Sequence, residues 1–586
     1  MKQKISLLLL MSFISLSAFA TGEIHFDPAS GLTFKVIADF PLLNDYQVEV
    51  TAGEEKYEGD IVIPSKVTIE DIDYSVTRIG EWAFKNCDNL TSVTIPKGVT
   101  SIGQSAFGSC SINSLELPEG ITEINDYAFW GCKFTSISMP NTLKTIGKSV
   151  FRESKLKNVV IPNSVTSMGN EAFRQSSVET VTLSSSLKTI GHLTFYYCNL
   201  LRSIVIPEGI EEIGDKAFYL CYNLESITIP KSLKTIGLYN YSRPVCVFFE
   251  CNKLKKVIIS DLAAWCNIKF EDNTSNNNPL YYSHHLYVGD SEITDLVIPD
   301  GVTTISPIAF YGGSNFTSLT IPETVNTIGY CAFNDCSGLT SVSIPKSVSV
   351  IESAAFSCPN LTTVSLPSSI ESIDKHTFGE APLESIIVYN SGDKNYDSRN
   401  NCNAVINTET NDMVIACKNS TIPEGVEILS AEFPKGTSSI SFPKSLKRFN
   451  ASFRRCSSSL HRLKANWEDL SELTYYNLYE FWGLPRGISN ECKLIVPKGT
   501  VELYQQTEPW KYIPNIVEKG SEEAKLSPGD ANGDDKVNEA DIVEVVNYII
   551  GNPSGNFEQE GADANFDHKV NAADIVEIVK IIKANK

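Results

Sequence analysis

The sequence predicts a β-rich solenoid of short stacked coils with short 3-10 and α segments, followed by a small α-helical domain. Three observations predict it. A phenylalanine recurs every 22 or 23 residues at Phe84, Phe107, Phe129, Phe151, Phe173, Phe195 and Phe218, and again at Phe310, Phe333, Phe356 and Phe378. A fixed period in this range marks stacked repeats. Ahead of each phenylalanine runs an alternating Val-x-Ile, the pattern of a half-buried strand. Beyond Val517, two acidic segments match each other at an offset of 33 residues. The 586 residues are 42% hydrophobic, too apolar for wholesale disorder, and their length suits three to five domains or one long array. The net charge of -21 argues against nucleic acid and against a polybasic membrane patch, both of which need a Lys/Arg excess on one face.

Residues 1–20 read as a signal peptide. Lys2 and Lys4 precede a mostly apolar run from Ile5 to Leu16, and Ala18-Phe19-Ala20 fits the small-x-small cleavage rule. The run is shorter than the ~20 residues a spanning helix requires. The expectation is export through the Sec pathway, with no transmembrane anchor, to a secreted, cell-surface or periplasmic destination. Residues 21–59 lack the Phe marker but alternate as in Gln47-Val48-Glu49-Val50, and read as a β-rich N-terminal cap. A solenoid needs such caps, or its end coils expose apolar edges.

One clean repeat is Leu90, Val93, Ile95, Pro96, Val99, Ile102, Gly103, Ala106, Phe107, Cys110. Twenty-two residues cannot enclose a core, but stacked coils can. Val93 and Ile95 point inward, Pro96 lacks the N–H to continue the ladder, and Gly103 is expected to permit a turn. Cys87, Cys110, Cys132, Cys198, Cys221, Cys251 and Cys336 each stand three residues after a phenylalanine. That regularity reads as buried thiols in a repeated core slot, although fifteen cysteines in an exported chain would ordinarily imply disulfides.

The Ile-Pro, Ile-Gly and Ala-Phe-x-x-Cys signatures resemble the BspA-like bacterial leucine-rich repeats. The resemblance covers Asp60 to Glu518 and implies a leucine-rich-repeat solenoid over 60–517. Leu280-Tyr281-Tyr282 to Leu286-Tyr287-Val288 resembles a linker coil, about 252–298, between two repeat runs. Cys492 to Trp510 resembles the closing coil, within degenerate coils at about 388–517. Ser184 replaces the repeat proline, and Ile387 to Ser457 is too irregular to place. The outward strand positions, such as Ser92/Thr94, Thr180/Thr182, Ser318/Thr320 and Ser341/Ser343, form a nearly neutral hydroxyl ladder. Small β-tolerant residues suit a crowded parallel sheet on their own account. The other reading is an extended docking face for a host or bacterial surface protein or a glycan, a use the resemblance also implies.

Residues 518–528 are polar and linker-like, and 529–586 form the last domain. Its loops run Asp530 to Asp541 and Asp563 to Asp574. Oxygen donors at positions 1, 3, 5 and 12 suit a hard cation such as Ca²⁺. They are Asp530, Asn532, Asp534 and Asp541, then Asp563, Asn565, Asp567 and Asp574. Position 7 contributes the carbonyls of Lys536 and Lys569, and position 9 is Asn538 and Asn571. Two Ca²⁺ sites are expected. Position 6 is Asp535 and His568, where a left-handed turn is expected at some cost. Each loop runs into one apolar helix, and this duplicated loop–helix resembles a type I dockerin. The resemblance implies a cohesin-like docking partner, with Glu539/Ala540 and Ala572/Ala573 helping to set partner choice.

Catalytic and cofactor-binding residues are not expected. None of His25, His192, His284, His285, His376, His461 and His568 sits in a His-Glu-x-x-His pattern, and neither a nucleophile elbow nor a P-loop is present. The sequence thus reads as an exported non-catalytic binding protein with Ca²⁺-dependent docking. The alternative is an accessory dockerin-bearing subunit of an extracellular, cellulosome-like polysaccharide-degrading assembly.

Overall fold

The Val-x-Ile alternation becomes a ladder that runs from coil to coil. The computed structural model describes residues 21–40, 43, 45–238, 246–392, 394–451, 453–475, 488–521, 524–533, 536–551, 557–567 and 569–584. The chain forms two units, one ending at Ile293 and the other beginning at Thr294.

In the first unit each coil contributes to two short parallel ladders. Asn158–Val160 pairs with Thr180–Thr182, with Val159 opposite Val181, both buried. Ser101–Ile102, Glu123–Ile124, Thr145–Ile146 and Ser167–Met168 form the second ladder. Only one side chain in each two-residue strand points inward, because successive side chains face opposite ways. Phe84, Phe107, Phe129, Phe151, Phe173, Phe195, Phe218 and Phe248 are fully buried in one file. Neighbouring rings stack, as in Phe173–Phe195 at 5.5 Å and 4° and Phe218–Phe248 at 5.4 Å and 2°. Each such contact adds about 0.5–1.5 kcal/mol beyond burial itself.

The back of the coil is built from alternating amides. Ser105, Phe107 and Ser109 donate to Asp126, Ala128 and Trp130 of the next coil at 3.0, 2.8 and 2.6 Å. Ala106, Gly108 and Cys110 instead close turns onto Gly103, Ser105 and Phe107 of their own coil. This alternation puts Ser105 and Ser109 at φ 49° and 56°, and repeats at Glu171 and Gln175 and at Leu193 and Tyr197. Left-handed backbone costs a non-glycine residue ~1–2 kcal/mol. The hydrogen bonds between coils hold these residues in place.

The repeat glycine serves a different purpose from the turn expected of it. Gly103 is not among the positive-φ residues. A Cβ there would lie 2.7 Å from the Gly80 carbonyl carbon and the Glu81 nitrogen. The same clash recurs at Gly147, Gly169, Gly214 and Gly329, always against backbone of the preceding coil. Glycine is required because two backbones touch. Where Ser184 replaces the repeat proline, its buried hydroxyl donates to the Val165 carbonyl at 2.7 Å and accepts from Ser186 N at 3.1 Å.

All fifteen cysteines are free thiols, and fourteen are buried. Six of the thiols donate to the phenylalanine carbonyl of the preceding coil, as Cys132 does to Phe107 at 2.9 Å and Cys358 to Phe333 at 3.0 Å. Burial pushes Cys198 and Cys251 up to about 12.

At the start, Ile24–Asp27, Leu32–Phe40 and Asp45–Thr51 form an antiparallel meander. Asp45–Thr51 then pairs in parallel with Ile72–Ile79, which continues into the second ladder. The first unit closes on the helix Leu262–Cys266, capped by Asp261, and the strand Leu286–Val288. In the second unit the phenylalanine file resumes at Phe310, Phe333, Phe356 and Phe378.

The stretch the sequence left unplaced continues as coils. Ile428–Leu429, Arg448–Phe449 and Thr474–Tyr475 form one parallel ladder. Ser439–Phe442, Arg462–Ala465, Lys493–Val496 and Asn515–Glu518 form the other. Phe433 stacks on Phe453 at 5.8 Å, only 20 residues on, so the marker falls out of the 22–23 period. Trp467, Tyr504 and Trp510 fill the core of the closing coils.

Two outcomes are expected. Gly169→Ala should destabilise the chain by more than ~1 kcal/mol in urea unfolding, because its Cβ would stand 2.5 Å from Lys148 N. Thiol labelling at pH 8 should reach at most Cys246 until denaturant is added, since the other fourteen are buried. The raised thiols also fix the sign of the alkaline response. Their unfolded value is 9.0 and the folded value of Cys198 about 12, so stability is full below pH 9 and falls as pH rises towards 12. Unchanged stability between pH 9 and 11 would contradict this.

Candidate functional site

The acidic loops become caps and buried anchors. Asn538 and Asn571 each cap a helix: their side-chain oxygens accept from Ala540 N at 2.9 Å and Ala573 N at 2.8 Å. Asp541 accepts from Asn538 N at 2.8 Å and Asn532 N at 3.1 Å. Asp574 repeats this with Asn571 N at 2.8 Å and Asn565 N at 3.3 Å. Position 12 of each loop is thereby tied to positions 3 and 9. In the second loop, Asp563 and Asn565 both accept from the Asp567 amide, at 3.0 and 2.9 Å, and Asp567 accepts from Lys569 N.

Asp534, Asp535 and His568 lie outside the described residues. Among the described residues, no three His, Cys, Asp or Glu side chains gather closely enough to hold a metal ion. The chemistry of the donor set nonetheless fits a hard cation. Asp530, Asp541 and Asp574 are fully buried. Anions withdrawn from water need compensating donors or charge, and an all-oxygen set of carboxylates, amides and carbonyls suits Ca²⁺.

Among the described loop residues, the left-handed one is position 4; position 6, where the sequence predicts such a turn, lies outside them in both loops. Gly533 has φ 69° and Phe566 has φ 61°. Glycine takes that conformation freely, whereas Phe566 carries the strain and is 67% exposed. A glycine and a phenylalanine at matching loop positions were the available signal.

Two helices follow the loops, Glu539–Ile549 and Ala572–Ala584. They bury Val545, Ile578 and Ile582 with Ala531, Ala562 and Ala564, a small core. Glu539, Ala540, Ala572 and Ala573 are exposed at the helix starts. The helix faces differ. The first exposes Val543, Val546, Ile549 and Ile550, whereas the second exposes Val576 and carries Lys580 and Lys583 where the first has Asn547 and Ile550.

On the repeats, the outward hydroxyls bond along the ladder. Ser92 donates to Asp60 at 2.6 Å, Thr180 to Asn158 at 2.7 Å and Ser318 to Asp295 at 2.7 Å. The face is more apolar than expected. Val62, Val160, Val205, Val297 and Ile387 are more than half exposed in the same outward rows.

The profile of the BspA type leucine rich repeat region matches residues 64–133, 122–246 and 283–404, in six copies. The chain belongs to this family. The profile of the dockerin type I domain matches residues 528–583, so a dockerin follows the BspA-type array. Similar solved structures include a leucine-rich repeat protein from Bacteroides ovatus, at 20% identity over 76% of this chain and 98% of that one, with a TM-score of 0.37. Another is the leucine rich repeat protein of T. pallidum, at 28% identity over 34% and 91% of the two chains, TM-score 0.28. The pneumococcal vaccine antigen PcpA gives 18% identity over 86% and 100%, TM-score 0.31. No curated protein matches the chain. Both modules of this BspA-type protein are binding modules. Among the described residues, no helix is long and apolar enough to cross a membrane.

Paired substitutions test the dockerin loops. Asp541→Ala removes a helix-cap partner worth about 0.5–2 kcal/mol together with a loop donor. Calorimetric Ca²⁺ titration should show weaker uptake, and far-UV circular dichroism less helix. Phe566→Gly should do the opposite, stabilising the second loop by about 0.5–1 kcal/mol, the left-handed strain less the entropy of glycine.

Proposed function

We propose that this is an exported, non-catalytic binding protein whose repeat face contacts a protein or glycan partner and whose dockerin docks onto a cohesin-type module with two bound Ca²⁺ ions. The ligand set is Asp530, Asn532, Asp534, Lys536, Asn538 and Asp541, with its counterpart Asp563, Asn565, Asp567, Lys569, Asn571 and Asp574. The domain limits are 21–59 for the cap, 60–517 for the array, 518–528 for the linker and 529–586 for the dockerin. The observation that carries the reading is the duplicated loop–helix with open helix faces, Val543, Val546 and Ile550 on one and Val576 on the other. Among the described residues the core holds six buried hydrophobics with five half-buried ones packed on them, small for a domain, and such domains commonly need a metal or disulfides. The extracellular or surface setting typical of both families supports export.

The dockerin itself favours a second reading, an accessory subunit of an extracellular polysaccharide-degrading assembly recruited through this domain. Pull-down with the full chain, in Ca²⁺ and in EDTA, separates the two. Recovery of cohesin-bearing enzymes only in Ca²⁺ is the outcome of the accessory reading. Capture of a surface protein or glycan by the repeats, unaffected by EDTA, is the outcome of the first. Glycan cleavage by the purified chain would refute both.

A further inference from the structure

In the ladder Ser439–Phe442, Arg462–Ala465, Lys493–Val496, Asn515–Glu518, alternate residues share a face. Earlier coils of this unit place Ser318 and Thr320, then Ser341 and Ser343, at the outward positions. Here the outward pair is Arg462 and Lys464. Arg462 is only 7% exposed, although arginine is almost never buried without a partner. Its Nη2 donates to the Ala524 carbonyl at 2.7 Å, and Ala524 is itself buried. Lys464 Nζ stands 3.4 Å from Glu558 Oε1. Both partners lie beyond the array, one just before the dockerin and one within it.

Glu558 is in turn held by the first cation loop. Its amide donates to the Ala531 carbonyl at 2.9 Å. A Cβ on Gly533 would lie 3.1 Å from Glu558 Cγ and 3.9 Å from Arg462 Cδ, so this loop residue sits directly over the contact. Gly529 N donates to Gly561 O at 2.8 Å, closing the same corner.

We propose that the last coils clamp the dockerin through Arg462 and Lys464, gripping Ala524 and Glu558, and that a cation in the loop Asp530–Asp541 tightens the clamp. The segment after Glu518 is then a strap fixed at both ends. The open helix faces are presented in one orientation, because Val543, Val546, Ile550 and Val576 stay exposed with the clamp closed. A cation that orders Ala531 and Gly533 also positions Glu558 for Lys464, and by linkage the clamp must raise cation affinity by the same factor. The coupling half rests on the Ca²⁺ reading; the clamp half does not.

Tryptic cleavage of the full chain after Lys525, followed by mass in Ca²⁺ and in EDTA, reads the strap, and calorimetric Ca²⁺ titration reads the loops. Cleavage requires the strap to leave the Arg462 contact. In Ca²⁺, Arg462→Ala should speed cleavage about tenfold, the scale of losing a charge-assisted hydrogen bond. Its Ca²⁺ affinity should fall by a similar factor. Lys464→Glu should speed cleavage several-fold, and adding Glu558→Lys should restore the parental rate. This exchange carries the test if Arg462→Ala fails to fold. Parental cleavage rates in Arg462→Ala and Lys464→Glu would overturn the clamp. If the parent takes up no Ca²⁺ and EDTA changes nothing, the coupling is overturned with the Ca²⁺ reading, while the variants in plain buffer still judge the clamp.

Discussion

The structure depends on how closely one coil's backbone lies on the next. At Gly169 the gap leaves no room for a methyl group. The amide and carbonyl rows of the coil back meet only at that spacing, as Phe151 N to Ala172 O at 2.8 Å and Phe173 N to Thr194 O at 2.9 Å. Phenylalanine rings stack because the same spacing brings them to 5.2–5.5 Å around Phe173. The cysteine is small enough to reach a carbonyl of the preceding coil without pushing the coils apart, and its burial keeps it protonated. A larger residue at the glycine would strain the amide row, the ring stack and the thiol bond together. Left-handed residues such as Glu171 and Leu193 are tolerated for the same reason: each is anchored to the next coil at 2.9 and 3.1 Å.

Much of this was legible from residue spacing. A period shows itself wherever each coil faces the same constraint, so the strands, the phenylalanine file and the buried thiols followed from position alone. The exact purpose of Gly103 did not, since a glycine that permits a turn and one that permits contact look alike in sequence. Between Ile387 and Ser457 the signal faded for a physical reason. The coil shortens to 20 residues between Phe433 and Phe453, which breaks the period. In the dockerin, the duplicated loop showed where the oxygen donors stand, but not that Asn538 and Asn571 cap the helices. The strained Phe566 was not legible, because an oxygen-donor pattern says nothing about the residues between donors. The Arg462 contact was also hidden: nothing in a strand sequence tells which outward side chain will meet a segment 62 residues further on.

The two modules solve stability in opposite ways. The array adds coils, each burying its apolar edge on its neighbours, so its core grows with length. The dockerin stacks only its two loop–helix halves, and among the described residues three of the six buried hydrophobics of its core are alanines. Its carboxylates add to the difficulty, because Asp530, Asp541 and Asp574 are taken out of water. The proposed cation would offset that cost and supply order at once.

The outward rows of the array and the open helices of the dockerin therefore differ as binding surfaces. Hydroxyl bonds such as Thr180 to Asn158, and exposed valines such as Val160, stand on strands paired with each other in a parallel ladder. Such a face loses little conformational freedom when a partner arrives, and that favours affinity over adaptability. The dockerin helices start from two loops whose order would depend on the proposed cation, and Glu558 is hydrogen-bonded to the first of them. Under the proposed clamp, Arg462 and Lys464 carry part of the array's rigidity to those helices.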